Sequence, residues 1–162
     1  MRVSLVVQAA GVADHQKLAE VLAGRSNILE LTDSSHDAAL RPDPPGGISH
    51  AERAALACRM ARLNDEPVLA QHFEGMIGDG SNPARSIADP GFQEAEGPRL
   101  RAIIRHTDLV AVNPKEATGA DIAALKAAGV SEDDIVRLSE LIAFVSYLIR
   151  VVVGLRLMAE VV

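Results

Sequence analysis

Cysteine and aromatic residues are scarce in this chain of 162 residues, which has one cysteine, no tryptophan, one tyrosine and three phenylalanines. The single thiol, Cys58, excludes an internal disulfide and favours the reducing cytoplasm as the compartment. Few aromatic residues, together with abundant alanine and leucine, favour an all-α domain over a β-sandwich or barrel.

Basic residues are also few. There are 16 lysines and arginines against 22 acidic residues, and the formal net charge is −6. Because phosphate contacts need clustered lysine and arginine, this balance argues against nucleic acid as a partner. Hydrophobic residues make up 48% of the chain and charged residues 23%. These proportions and the length predict one folded domain with a substantial core.

The first eleven residues form a short apolar run that Asp14, His15 and Lys17 follow closely. A signal peptide has a longer apolar region, so the pattern predicts a short strand or a buried N-terminal segment. Caps, breakers and periodicity predict the remaining elements. Helices are expected over 14–23, 49–63, 67–78, 99–112, 118–128 and from 131 onward, with loops over 25–47 and 78–98.

The C-terminal segment has the strongest helix pattern. It begins with a capping-box pattern, Ser131 to Asp134, and contains no helix breaker before Gly154. Apolar residues cover nearly every face from 141 to 157, which predicts burial in the core or in a subunit interface. Four charged residues interrupt it and argue against a membrane span. Arg150 on this apolar helix should find a buried carboxylate or an interface contact.

Two segments carry a family resemblance. Residues 49–73 begin with Ser49, His50, Ala51, Glu52 and Arg53, and residues 118–157 contain the run Leu141-Ile-Ala-Phe-Val-Ser-Tyr followed by Arg150. Both resemble the alkylhydroperoxidase D-like (AhpD-like), carboxymuconolactone decarboxylase superfamily, in its peroxidase-related branch. The resemblance implies an AhpD-like helical bundle with a core over 49–162 and a helix-and-loop extension over 1–48. It also implies a homo-oligomer and a small organic substrate, a hydroperoxide or a lactone.

The redox chemistry of that family depends on a Cys-x-x-Cys pair followed by a histidine. Aligning that histidine with His72 places the two cysteine positions at Asp65 and Val68. Aligning the preceding asparagine with Asn64 places them at Glu66 and Leu69. Neither alignment supplies a thiol, so the sequence predicts that no dithiol peroxidase cycle operates.

Three residues remain as candidates for catalysis. His72 and Glu52 match the proton relay of the resembled family, so His72 is a candidate proton shuttle with Glu52 as its carboxylate partner. Each also has a structural interpretation, since Glu52 completes a capping box with Ser49 and His72 can pack on a helix face. For Cys58, packing in an Ala/Leu-rich helix is favoured over a one-cysteine nucleophile.

A metal site is the weakest possibility. His36 and His50 flank a Pro-Gly loop that also contains acidic residues, Asp33, Asp37 and Asp43, but their spacing matches no metal motif. They are interpreted as solvated loop residues, and neither a metal nor a cofactor is expected. Two functions stay open: an acid–base enzyme centred on His72, or a non-catalytic oligomeric scaffold that acts alone or with a thiol-active relative.

Overall fold

The computed structural model describes residues 4–93 and 95–161, and within them every regular element is helical. The predicted all-α class is therefore confirmed. The α-helices are α1 (Leu5–Ala10), α2 (Gln16–Ala23), α3 (Ser26–Leu40), α4 (His50–Leu63), α5 (Pro67–Glu74), α6 (Pro98–Val112), α7 (Gly119–Ala127) and α8 (Glu132–Val161). Short 3₁₀ turns cover Pro83–Ala88 and Pro114–Glu116.

The N-terminal segment is a helix where the sequence allowed a strand. Helix α1 buries Val6, Val7 and Ala9 and packs against α8. The first three residues of the predicted segment lie outside the described part of the chain. Helix α2 begins two residues later than predicted and buries Leu18, whereas Val21 is exposed.

The prediction of a loop over 25–47 is wrong, because most of this segment forms the 15-residue helix α3. Its sequence is polar on most faces and buries only Thr32 and Leu40. Helix α3 nevertheless packs against α4 and α8. The Thr32 hydroxyl lies 2.9 Å from the Tyr147 hydroxyl of α8. Packing on neighbouring helices, which no local pattern reports, therefore stabilises this helix.

Helix α4 is the centre of the fold and packs against α5, α6 and α8. The predicted capping box is present: the Ser49 hydroxyl accepts from Glu52 N–H, and the Glu52 carboxylate accepts from Ser49 N–H. Residues 53 to 61 are all buried, including two arginines that the sequence did not single out. A helix that is buried on all sides in this way lies inside the core.

Both buried arginines have complete sets of partners. Arg53 donates to the carbonyls of Ala39, Pro45 and Ile48. Arg59 forms a two-point contact with Asp108 of α6, at 2.6 and 2.7 Å. It also donates to carbonyls in the segment 87–92. Because a buried guanidinium needs such partners, these two residues fix the loops around α4.

The helices predicted in the middle of the chain are present, and α5 is shorter than predicted. Pro67 stands in the first turn of α5 as expected, but this helix ends at Glu74, before the predicted Gly78. The predicted loop over 78–98 contains the turn Pro83–Ala88. Helices α6 and α7 confirm the predictions for 99–112 and 118–128 within one residue at each end, and the Thr118 side chain caps α7.

Helix α8 is present as predicted but is less buried than expected. It continues through Gly154 to Val161. The Ser131 hydroxyl accepts from Asp134 N–H, whereas the Asp134 carboxylate accepts from Gly47 N–H. The helix is long and apolar enough to cross a membrane, and its most apolar window is 39% buried. A face of α8 is therefore left exposed on the single chain.

Candidate functional site

His72 on α5 pairs with a histidine and not with the predicted carboxylate. Its Nε2 atom lies 3.0 Å from Nε2 of His36 on α3. His36 Nδ1 in turn lies 3.1 Å from the Asp37 carboxylate. Since a carboxylate only accepts, His36 Nδ1 donates to Asp37, and when both imidazoles are neutral His36 Nε2 accepts from Nε2 of His72. The structure thus forms an Asp37–His36–His72 chain of hydrogen bonds.

The prediction that Glu52 is the partner of His72 is wrong. One Glu52 carboxylate oxygen accepts from Ser49 N–H at 2.7 Å, and the other lies 3.5 Å from Nη1 of Arg99. Both contacts stabilise the first turn of α4. Glu52 therefore acts in helix capping, which was its structural interpretation.

Cys58 is fully buried on α4. Its thiol contacts the Ala70 carbonyl of α5, with the sulfur 3.3 Å from the oxygen. Burial is the main cause that raises the pKa of the Cys58 thiol above its usual value. Because the thiolate is the reactive form and is disfavoured here, this is the environment of a packing residue.

The interpretation of His36 as a solvated loop residue is wrong, since it lies on α3 and its side chain is only 11% exposed. Its ring stacks near Phe73 and meets the edge of Phe144. His50 instead contacts the Pro42 carbonyl. Among residues 4–93 and 95–161, no group of three or more His, Cys, Asp or Glu side chains could hold a metal ion.

A second candidate site is a cavity of about 520 Å³ between α6, the start of α7 and α8. Its apolar lining comes from Val110, Pro114, Ala117, Ile122, Ile142 and Ala143. Its polar lining includes His106, Thr118, Ser139, Ser146 and Arg150. Nothing in the local sequence pattern around His106 indicated a cavity.

His106 is the chemically unusual residue of this cavity. It is 6% exposed, and its Nδ1 atom has no hydrogen-bond partner within the described part of the chain. Burial is the main cause that lowers the pKa of His106; Arg105 lowers it further, and Asp121 partly offsets the shift. The imidazole is therefore neutral at neutral pH, and a buried polar atom without a partner is costly.

Arg150 lies at the exposed side of the same cavity. Of the two alternatives predicted for it, the buried pair with a carboxylate is not formed in the single chain, where Arg150 is exposed and donates to the Ser146 carbonyl at 3.0 Å. The interface contact stays a prediction. The ion pair of α8 that has a buried carboxylate belongs instead to Arg156, which contacts Glu66, the N-cap residue of α5, through two hydrogen bonds of 2.8 Å. Arg150 lies on the exposed face of α8, whereas Arg156 lies where the helix meets Glu66, so the two arginines have different partners.

The half-buried His72 and the buried His106 predict how stability depends on pH. Burial is the first cause that lowers the pKa of His72, followed by His36 and Arg41, and burial also lowers that of His106. The unfolded chain then binds protons at a higher pH than the folded chain. The contribution of these two histidines to the free energy of unfolding should therefore be complete at pH values above their ordinary pKa of 6.5. The free energy of unfolding should decrease as the pH drops below that value.

Urea unfolding at several pH values between 7.5 and 5 measures this dependence. The variant H106L removes one of the two groups, so its stability should fall less steeply over the same range. Carboxylates titrate mainly below this window. A stability that is constant or rises as the pH falls would contradict the assignment.

No family model, curated protein or solved structure matches this chain. The functional argument therefore depends on the geometry of the chain itself.

Proposed function

We propose that this protein is a non-catalytic, self-associating helical scaffold in which α8 pairs with α8 of a second copy. Three features support a scaffold over a thiol enzyme. Cys58 is buried, Glu52 caps a helix, and His72 is paired with His36. A degenerate member of the AhpD-like superfamily, as the sequence resemblance suggested, would have this combination.

The observation that carries the proposal is the regular outer face of α8. Residues at alternating spacings of four and three follow one line along the helix, and all of them are exposed except the half-buried Gly154. We call this line the α8 seam; it consists of Val136, Glu140, Ala143, Tyr147, Arg150, Gly154, Leu157 and Val161. Such spacing is the pattern of a coiled-coil contact.

One register of an antiparallel pair matches the part of the α8 seam from Val136 to Gly154 to itself. If the two-fold axis crosses the exposed face of α8 at the level of Val145, Glu140 of one chain faces Arg150 of the second copy. The same register sets Ala143 against Tyr147 and Val136 against Gly154. A two-fold interface must be self-complementary, and here opposite charges meet and small residues face large ones.

The charges are suited to pairing between chains. Within one chain, Glu140 and Arg150 are separated by ten residues, about 15 Å along the helix, so they cannot contact each other. At Gly154 a side chain would meet nothing within 4 Å, so space is open for Val136 of the second copy. These features favour a second copy over a membrane, because charged side chains facing lipid are costly.

Exposed residues of α3 extend the apolar area beside the seam. Ile28 and Leu31 are exposed and line a groove with Ala143, Phe144 and Tyr147 of α8. The hydrogen bond between Thr32 and Tyr147 holds the tyrosine ring at this position. A second helix lying on the seam would therefore cover apolar surface from both α3 and α8, which favours association.

Charge reversal tests this register. E140R or R150E alone should weaken dimerisation about 100-fold or more, because like charges then meet twice across the two-fold axis. The double variant E140R/R150E restores opposite charges and should recover most of the affinity. Sedimentation equilibrium over nanomolar to micromolar concentrations measures the dissociation constants.

E20R on the exposed side of α2 is the matched control, and its dimerisation should equal that of the unaltered chain. A stable monomer at micromolar concentration would contradict the proposal. An oligomer that neither single reversal weakens would place the interface elsewhere. Flotation of the protein with phospholipid vesicles, lost in the same single variants, would assign the α8 seam to lipid instead.

A further inference from the structure

His36 of α3 and His72 of α5 bring one ring nitrogen each to the same place. Their Nε2 atoms are 3.0 Å apart, and the centroids of the two rings are 5.1 Å apart. A bond between zinc and an imidazole nitrogen is about 2.0–2.1 Å long. Two such bonds separate their nitrogens by about 2.9 Å at a right angle and by about 3.3 Å at a tetrahedral angle. The observed separation is therefore that of two nitrogens able to share one metal ion.

The second ring nitrogen of His36 has the kind of partner that metal-binding histidines usually have. His36 Nδ1 donates to the Asp37 carboxylate, with 3.1 Å between the nitrogen and the oxygen. A carboxylate at this position fixes the tautomer that leaves Nε2 without a proton, and it makes Nε2 a better ligand. Asp37 thus prepares His36 to bind a metal ion through the nitrogen that faces His72.

The surroundings hold the pair in place and leave it open to water. The rings of Phe73 and Phe144 pack against His36 and limit its movement. Both histidines are half-buried, and the side chain of Asp37 is exposed. Two protein ligands at the edge of the core leave the remaining coordination positions of a metal ion to water.

We propose that His36 and His72 together bind one divalent transition-metal ion of the class that prefers imidazole, such as Zn²⁺ or Cu²⁺. Binding requires Nε2 of His72 to lose the proton that it shares with His36. This proton is taken up at Nδ1 of His72, so the charge of the ring is unchanged. The bound ion would tie α3 to α5. Mg²⁺ does not fit, because it prefers oxygen ligands.

Arg41 carries the charge that opposes a cation at this position. It stands directly after α3, and its charge lowers the pKa of His72, after the larger effects of burial and of His36. Arg41 is exposed, so water and salt screen its repulsion. The Asp37 carboxylate has the opposite charge and offsets it.

The ring nitrogens of the full chain, labelled with ¹⁵N-histidine, report binding directly. Adding Zn²⁺ at neutral pH should shift the Nε2 signals of His36 and His72 and leave those of His15, His50 and His106 in place. Calorimetric titration should give one Zn²⁺ per chain. Cu²⁺ should bind more tightly than Zn²⁺, and Mg²⁺ should not bind.

Substitutions test whether the two histidines act as one site. H36Q and H72Q each remove a ligand and should weaken Zn²⁺ binding about 100-fold, the upper end of the loss seen even for supporting residues. The double variant should bind no more weakly than either single variant, because one histidine alone does not chelate. D37N keeps both ligands and should weaken binding about tenfold. H50Q, which changes a histidine outside the pair, should bind like the unaltered chain.

Several results would overturn the proposal. Zn²⁺ that shifts neither ring, or only one of the two, would show that the pair is not a shared site. Losses that add in the double variant would indicate two independent surface histidines, and an equal loss in H50Q would place the metal elsewhere. The ring signals are measured on the unaltered chain, so they decide the question even if H36Q or H72Q does not fold.

Discussion

Replacing Arg59 by alanine is expected to lower the free energy of unfolding by about 3–5 kcal/mol, the effect typical of breaking a buried ion pair. Arg59 is fully buried, and its guanidinium contacts both carboxylate oxygens of Asp108. It also holds the carbonyls of Ile87, Pro90 and Phe92. The variant would leave these groups without a donor in the core, which costs much of the stability of a small domain.

Urea or thermal unfolding of R59A measures the loss. The matched control is R62A on the same helix, since Arg62 also contacts a carboxylate, that of Glu74, but both side chains are more than a third exposed. An exposed pair of this kind contributes about 1 kcal/mol or less. If both variants lose the same stability, the special role assigned to Arg59 is wrong.

Cys58 is expected to react with thiol reagents at least about 1,000-fold more slowly in the folded protein than in urea, because labelling needs the core to open. The thiol is fully buried, contacts the Ala70 carbonyl, and has a raised pKa because of burial. For the same reasons it should not reduce an alkyl hydroperoxide. Labelling by a maleimide, followed by mass spectrometry, measures the rate.

The control for this prediction is an exposed thiol in the same protein. A chain with C58A and A124C carries its thiol on the exposed side of α7 and should react at the rate of a free thiol. Fast labelling of Cys58 in the folded chain would contradict the packing role. Hydroperoxide reduction that disappears in C58S would establish a one-cysteine mechanism instead.

The elements that the sequence predicted well are those whose signals act within one helical turn. The capping box of Ser49 and Glu52, Pro67 in a first turn, and Thr118 at the start of α7 all appear as expected. Each is a contact between residues at most three positions apart, so the local chain is enough to specify it. The apolar pattern of α8 also lies within one continuous segment, so it too can be recognised from the sequence.

Helix α3 shows where local signals are insufficient. Its polar sequence has no continuous apolar stripe, and the preceding and following residues resemble a loop. It is stabilised by contacts with distant residues, the pairing of Thr32 with Tyr147 and of His36 with His72. A short helix is marginal alone, so its existence is decided by tertiary packing.

The candidate site, like the fold, has some features that the sequence determines and others that depend on tertiary structure. The sequence by itself determined that the chain has no Cys-x-x-Cys pair, since it has one cysteine, and it correctly predicted that the fold is helical. Only the tertiary structure decided that His72 meets His36 and that His106, whose Nδ1 atom has no partner among the described residues, lines a cavity. Partners and empty volume depend on how helices from distant parts of the chain fit together, and residue spacing along one helix does not encode that fit.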